Sequence, residues 1–210
     1  MTGIVTSAAP AALTVECSAL EVEDLPAVRL VLVQALAKGD RDELAAETAT
    51  ELGIDAVIPW QSERSIVRWK GERAAKAHAK WQSVVTAAAK QARRAWIPEV
   101  RDAVDTAGLQ RTVSAADLAI ILHEDAVRPL RQVLENWRDF NPHLEPGHDA
   151  ADRVREVLLI VGPEGGISPR EVTKLCDAGA VTALLGHHVL RSSTAGPAAT
   201  VLASDILGRW

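Results

Sequence analysis

The stretch "REVLLIVGPEGGISPREV", residues 155–172, decides how the chain is read. An apolar run of five residues, three of them β-branched, stops at a turn holding three glycines and two prolines, and the run Ser-Pro-Arg-Glu is a helix-start signal. A buried strand, a glycine turn and a helix N-terminus in that order are the parts of a parallel α/β unit. In open parallel sheets, ligands bind at loops leaving the carboxyl ends of strands, where the next helix offers unpaired amides.

Working outward, the same alternation repeats. "VRLVLVQAL" (28–36) reads as a buried strand, "DRDELAAETATELG" (40–53) as a helix closed by Gly53, and "IDAVIPW" (54–60) as a second strand stopped by Pro59. A long helix is expected from about Gly71 to Trp96, with Ala74, Ala77, Trp81, Val84, Val85 and Ala88 on its apolar stripe. "DLAIILHED" (117–125) is the next strand, followed by a helix to about Trp137 and a polar loop, "DFNPHLEPGHDAAD" (139–152). After the strand at 155–162 come the helix "SPREVTKLCDAG" (168–179), the strand "AVTALLG" (180–186) and a last helix over about 194–207. This rhythm predicts a mostly parallel sheet with helices on both faces. The first 25 residues break it: "ALTVECSALEVEDLP" (12–26) alternates as one or two antiparallel strands, which alone are marginal in water.

With 210 residues and 48% hydrophobic content the chain can bury one good core, or one core and a small appendage. No apolar run approaches a membrane span and no signal-peptide pattern opens the chain, so a cytoplasmic protein is expected. Cys17 and Cys176 lie far apart, outside any CxxC or Cys/His cluster, so neither a disulfide framework nor a zinc site is indicated. His187 and His188 are adjacent in a strand-like stretch and point apart, with no suitably spaced Cys or carboxylate, so no metal is expected.

The net charge of -5 conceals an uneven distribution. Residues 64–101 hold ten Lys/Arg against Glu72 and Glu99, a local +8 that leaves -13 for the remainder. Such a stretch can attract a polyanion through counterion release, or it can be a solvated helix face. The glycine turn is likewise ambiguous by itself. It carries neither GxGxxG with a following acid nor GK[ST], and a tight turn without ligand also needs glycines. Two further strand ends share its character: "LHED" (122–125) and "LGHHVLRSSTAG" (185–196). Three loops at one sheet edge can form one pocket.

Taken together, "ERS" (63–65), "AAAKQARRAWIPEV" (87–100), "LHED", "VGPEGGIS" (161–168) and "LGHHVLRSSTA" (185–195) resemble, in order and approximate spacing, the bacterial 16S ribosomal RNA (uracil-N3)-methyltransferases of the SPOUT superfamily. The similarity runs from about Val28 to Trp210. The resemblance implies a SPOUT methyltransferase domain over 26–210 with a C-terminal trefoil knot at about 155–210, one of the rare knotted topologies. It implies S-adenosylmethionine as cofactor, 16S ribosomal RNA or the 30S subunit as partner, and a homodimer. By position, the cofactor pocket would comprise Leu122, His123 and Glu124; Gly162, Pro163, Glu164, Gly165 and Gly166; and Leu185, Gly186, Val189 and Leu190.

Methyl transfer to uracil N3 requires loss of the N3 proton, so the site needs an acceptor for it or positive charge that stabilises the uracil anion. Arg191, beside the last loop, is the first candidate for that charge. Arg64, Arg93 and Gln91, at motif positions, form a second catalytic set that would orient the uracil or its backbone.

The chain departs from the family pattern twice. Ser193 stands where many members carry Glu in "LRTETA". Residues 1–25 correspond only to the last strands and linker of the PUA-like β-barrel that precedes the domain in the family. Two other functions stay open: a folded SAM- or RNA-binding remnant, inactive for want of the N-terminal barrel, and a nucleotide-dependent enzyme using "GPEGG" for phosphate, which lacks the usual lysine.

Overall fold

The structure, a computed structural model, describes residues 2–24, 26–142 and 154–210. Most of the expected polar loop, from residue 143 on, lies outside the described residues.

A seven-stranded sheet organises the chain from Val28 onward. Its strands are β3 (Val28–Ala35), β4 (Ala56–Gln61), β5 (Glu99–Val100), β6 (Val104–Asp105), β7 (Leu118–Leu122), β8 (Arg155–Val161) and β9 (Val181–Ala183). The order is β5-β4-β3-β8-β7-β9, with β6 also on β4, and every pairing is parallel. Strand periodicity sets the two cores. Leu30 and Leu32 of β3, Val157, Leu159 and Val161 of β8 and Ile120 of β7 face one side. Val31, Val33, Leu158, Ile160 and Ile121 face the other. Both faces are covered, which is why these strands read as continuous apolar runs.

The first face is covered by α1 (Arg41–Glu51), α2 (Glu72–Gln91), α4 (Leu130–Asp139) and α6 (Ser192–Ile206). The second is covered by α3 (Thr106–Ala115) and α5 (Pro169–Asp177). α6 leaves the β9 edge and crosses back over β8 and β3 to pack on α1 and α4. Its end is fastened by Arg209, whose guanidinium donates to the Val28 and Gly53 carbonyls and to both oxygens of Asp55.

Four local readings need correction. β4 runs through Pro59 instead of stopping there, because the neighbouring strand is itself broken between β5 and β6, where no amide of Pro59 is required. α2 ends at Gln91, not near Trp96: Arg93 takes a left-handed φ of 56° and the Arg94 amide closes on the Ala89 carbonyl. The last helix begins at Ser192 rather than Thr194. α3 is an addition to the expected elements; its start is marked by Asp105, whose side chain accepts from the Gly108 amide.

The N-terminal segment forms an antiparallel hairpin, β1 (Thr2–Ala9) on β2 (Ala12–Ala19). The pairing partner of the expected strand is thus the stretch before it. Apart from half-buried Val15, every residue of the two strands is exposed, Ile4, Val5 and Leu13 among them.

Candidate functional site

A parallel sheet aligns the carboxyl ends of its strands, so the loops after β3, β4, β7, β8 and β9 emerge along one edge. At the β7/β9 end of that edge lies an open cleft. One wall is Leu122, His123 and Glu124, the end of β7; the other is the run 184–190 after β9, closed by Ala195 of α6. Backbone bonds lock the walls together: the His123 amide donates to the Ala183 carbonyl, the Leu184 amide to Arg128, and the Leu130 amide to Leu184.

Of the expected cofactor residues, Leu122, His123, Glu124, Leu185, Gly186, Val189 and Leu190 come together here. Sequence reasoning left out Leu184 and Ala195 and did not give His187 and His188 a place in the pocket, though all four line it. The histidines are exposed, and no cluster of metal-ligating side chains occurs among the described residues.

The residues 162–166 do not line this cleft. They occupy the end of the adjoining strand β8, where Gly166 has a φ of +70° and a Cβ on Gly162 would meet the Ile167 side chain at 2.6 Å. Glu164 turns toward the next loop, accepting from the Lys38 amide and Arg41 Nη1, both at 3.0 Å. Its role is to tie the glycine loop to the start of α1, not to act as an acid in the cleft.

Among the four catalytic candidates, Arg64 reaches the glycine loop: its Nη1 donates to the Gly165 carbonyl at 2.9 Å. Arg191 is exposed at the N-cap of α6, directly after the cleft wall. Gln91 and Arg93 are set apart from both. They end α2 at the opposite, amino edge of the sheet, where Arg94 binds the Thr50 and Ile54 carbonyls and Asp55 just before β4 begins. A helix returning from the carboxyl edge of β4 to the start of β5 must end there, so within one chain these two residues do not join the cleft.

Apart from Lys90 and Arg93, at and just beyond the end of α2, the basic stretch divides into two populations. Lys80 pairs with Asp40 and Glu43, Arg94 with Asp55, and Arg101 with Glu156 and Glu99. Arg64, Arg68, Lys70, Arg73 and Lys76 make no ion pair among the described residues, and their stretch is largely exposed. They run from the glycine loop onto the first turns of α2.

The loop carrying Arg64 is braced by a network that the sequence does not disclose. Glu171, fully buried, accepts from the Glu63 amide at 2.8 Å and from Thr106 Oγ1 at 2.6 Å. Its other oxygen faces the Ser168 amide at 3.3 Å, completing a capping box at α5. Ser168 Oγ in turn donates to Glu63 Oε2 at 2.8 Å. The "SPRE" start signal discloses the capping box; only the fold brings Glu63 and Thr106 to it.

Sheet, cleft and glycine loop together define an α/β domain with an open cleft at the carboxyl edge of a parallel sheet. The RNA methyltransferase domain model matches residues 23–204, and the chain belongs to that family. It is 39% identical over 192 residues to the ribosomal RNA small subunit methyltransferase E of Mycobacterium tuberculosis, covering 89% of this chain and 67% of that protein. The Bacillus subtilis enzyme of the same name is 29% identical over 175 residues, covering 83% and 64%. The chain thus spans about two thirds of the length of these relatives. A methyltransferase from Legionella pneumophila, solved with SAM bound, superposes with a TM-score of 0.73 at 30% identity, over 92% of this chain and 72% of that one. The Neisseria gonorrhoeae ribosomal RNA small subunit methyltransferase E, solved with S-adenosyl methionine, gives 0.66 at 26% identity, over 85% and 66%.

Proposed function

We propose that this chain is an S-adenosylmethionine-dependent methyltransferase acting on N3 of a uridine in 16S ribosomal RNA of the small subunit, as a homodimer. The observation that carries the reading is the cleft between 122–124 and 184–190, with the Arg64 loop and its exposed cations on the same sheet edge.

The cleft suits the cofactor chemically. Its walls offer backbone groups and apolar side chains, and a Cβ on Gly186 would meet nothing within 4 Å, so backbone approach there is open. Between Leu190 and Ala195, both in the wall, the Thr194 and Ala195 amides donate to the Arg191 carbonyl, whereas the Ser192 and Ser193 amides and the buried Ser192 Oγ have no hydrogen bond among the described residues. Unpaired donors at a helix start match an anionic group such as the methionine carboxylate. Leu122, His123, Glu124, Leu185, Gly186, Val189 and Leu190 would hold the molecule. The glycine loop 162–166, on the neighbouring strand, would bound the site from the Arg64 side.

When bound, S-adenosylmethionine supplies a sulfonium methyl as electrophile and departs as the neutral thioether, while the uracil N3 proton is released. The protein's own part is positioning and charge. Arg64 spends one N–H on Gly165 and keeps others for a uracil carbonyl that gains charge as N3–H ionises. Arg191 supplies a second cation beside the cleft. The strip Arg68, Lys70, Arg73 and Lys76 takes the flanking phosphates. Gln91 and Arg93, remote from the cleft of their own chain, would act at the site only from the second subunit of a dimer. The hairpin β1–β2, with apolar side chains exposed on both faces, is read as part of the β unit that precedes this domain in the family.

Calorimetry with S-adenosylmethionine tests the first half, and transfer of labelled methyl to 30S subunits and to free 16S RNA tests the second. Primer extension, which halts at N3-methyluridine, locates the product. Absence of cofactor binding overturns the proposal. Binding without transfer to either substrate establishes the binding-only alternative.

A further inference from the structure

We infer that Glu171 is a positioning residue: a buried carboxylate that latches the Arg64 loop, α3 and the glycine-loop helix into one rigid edge, so that Arg64 meets the substrate at a fixed angle. This rests on the role proposed for Arg64. A capping box needs one carboxylate oxygen, the one that faces the N-cap amide. In this chain it is the oxygen facing Ser168. The other oxygen is used outside α5, taking the Glu63 amide and the Thr106 hydroxyl. The residue next to Glu63 is Arg64, and the carbonyl that Arg64 grips belongs to the loop that α5 anchors. Both ends of the Arg64–Gly165 contact are therefore referred to a single, fully buried side chain.

A carboxylate is required for this arrangement. In Glu171→Gln the amide keeps the volume, but whichever way it is turned its NH₂ faces an N–H donor, of Glu63 or of Ser168. One bond must open, and the Arg64 loop loosens with it.

The test uses the full chain carrying Glu171→Gln, Thr106→Val, Arg64→Ala and the double variant Glu171→Gln/Arg64→Ala. Hydrogen exchange at residues 62–66 and 162–168 is expected to quicken in Glu171→Gln while the strands of the central sheet stay protected. S-adenosylmethionine affinity is expected to stay within about threefold, whereas kcat for methyl transfer falls about tenfold, the size of one lost hydrogen bond to a charged group. Thr106→Val should show the same split, weaker. In the Arg64→Ala background the Glu171→Gln change should have no further effect on kcat, which a purely structural role would not produce. An equal kcat loss in both backgrounds overturns the inference, as does unchanged exchange at 62–66. If the unmutated chain transfers no methyl, the proposed activity falls, and the exchange pattern still decides whether the latch exists.

Discussion

Arg209→Ala probes how the crossing helix is held. Arg209 and Asp55 are nearly buried, at 12% and 13% side-chain exposure. Nη1 lies 2.6 Å from the Val28 carbonyl and 2.5 Å from Asp55 Oδ2; Nη2 lies 2.9 Å from the Gly53 carbonyl and 3.1 Å from Asp55 Oδ1. Removing one partner of a buried ion pair costs about 3–5 kcal/mol, mostly for the charge left behind. Asp55 keeps the Leu30 amide at 2.8 Å and Arg94 at 3.5 Å, which places the cost at the low end. The expected loss is therefore about 3 kcal/mol, or about 6–12 °C in Tm for a domain of this size. Urea unfolding followed by tryptophan fluorescence and by circular dichroism measures it, with coincident curves as the check on two-state behaviour. Adding Asp55→Asn should cost less than the sum of the single changes, because the two residues share one interaction. A loss within about 0.5 kcal/mol, the range of an ordinary surface change, would refute the claim that this residue fastens α6 across the sheet.

The remaining predictions address charge, packing and pH. Replacing Arg68, Lys70, Arg73 and Lys76 together by Ala should lower the salt dependence of RNA binding by about 0.7 per lost phosphate contact, with S-adenosylmethionine affinity unchanged; an unaltered slope in a filter-binding series removes that strip from the RNA path. Gly196→Ala places a Cβ 2.8 Å from Leu32 Cδ1 and should cost about 1–3 kcal/mol by thermal melting; a neutral change would mean that α6 does not lie this close to β3. Burial raises the Asp42 carboxyl above its ordinary value of 3.8, against the amides of Ala37 and Glu43, which lower it. The folded state thus holds that proton more tightly, so the contribution to stability is complete below 3.8 and fades as pH rises through the folded value. Melts of the unmutated chain and Asp42→Asn across this interval should show the unmutated chain losing ground as pH increases, and parallel curves would contradict this.

The layered α/β frame was legible because its strands are buried on both faces and its helices carry their own boundary signals, a stop at Gly53 after α1 and a start at Ser168-Pro169 before α5. α3 was not, since "TAGLQRTVSA" mixes glycine and β-branched residues that favour no helix, and it forms on the Asp105 cap and the burial of Leu109 and Val113. β5 and β6, two residues each, are too short to leave a periodic signal. At the site, positions contiguous with strand ends, such as 122–124 and 185–190, were readable from the chain. Placement across the fold was not: nothing in "AAAKQARR" tells which sheet edge Gln91 and Arg93 reach. The length of α2 decides that.

The central pairing of the sheet bears on the order in which the molecule is assembled. Val28 lies opposite Arg155 and Gln34 opposite Val161, so the two middle strands come from opposite halves of the chain. During synthesis, β3 waits for β8 to leave the ribosome, and α6, which seals β3, emerges later still. Closing such a long loop before any pairing energy is gained makes the nucleus slow to form. The cleft wall after β9 therefore arises only after both central strands have emerged, and a nascent chain halted before α6 would leave the apolar patch on β3 and β8 that α6 covers open to solvent, a natural client for chaperones.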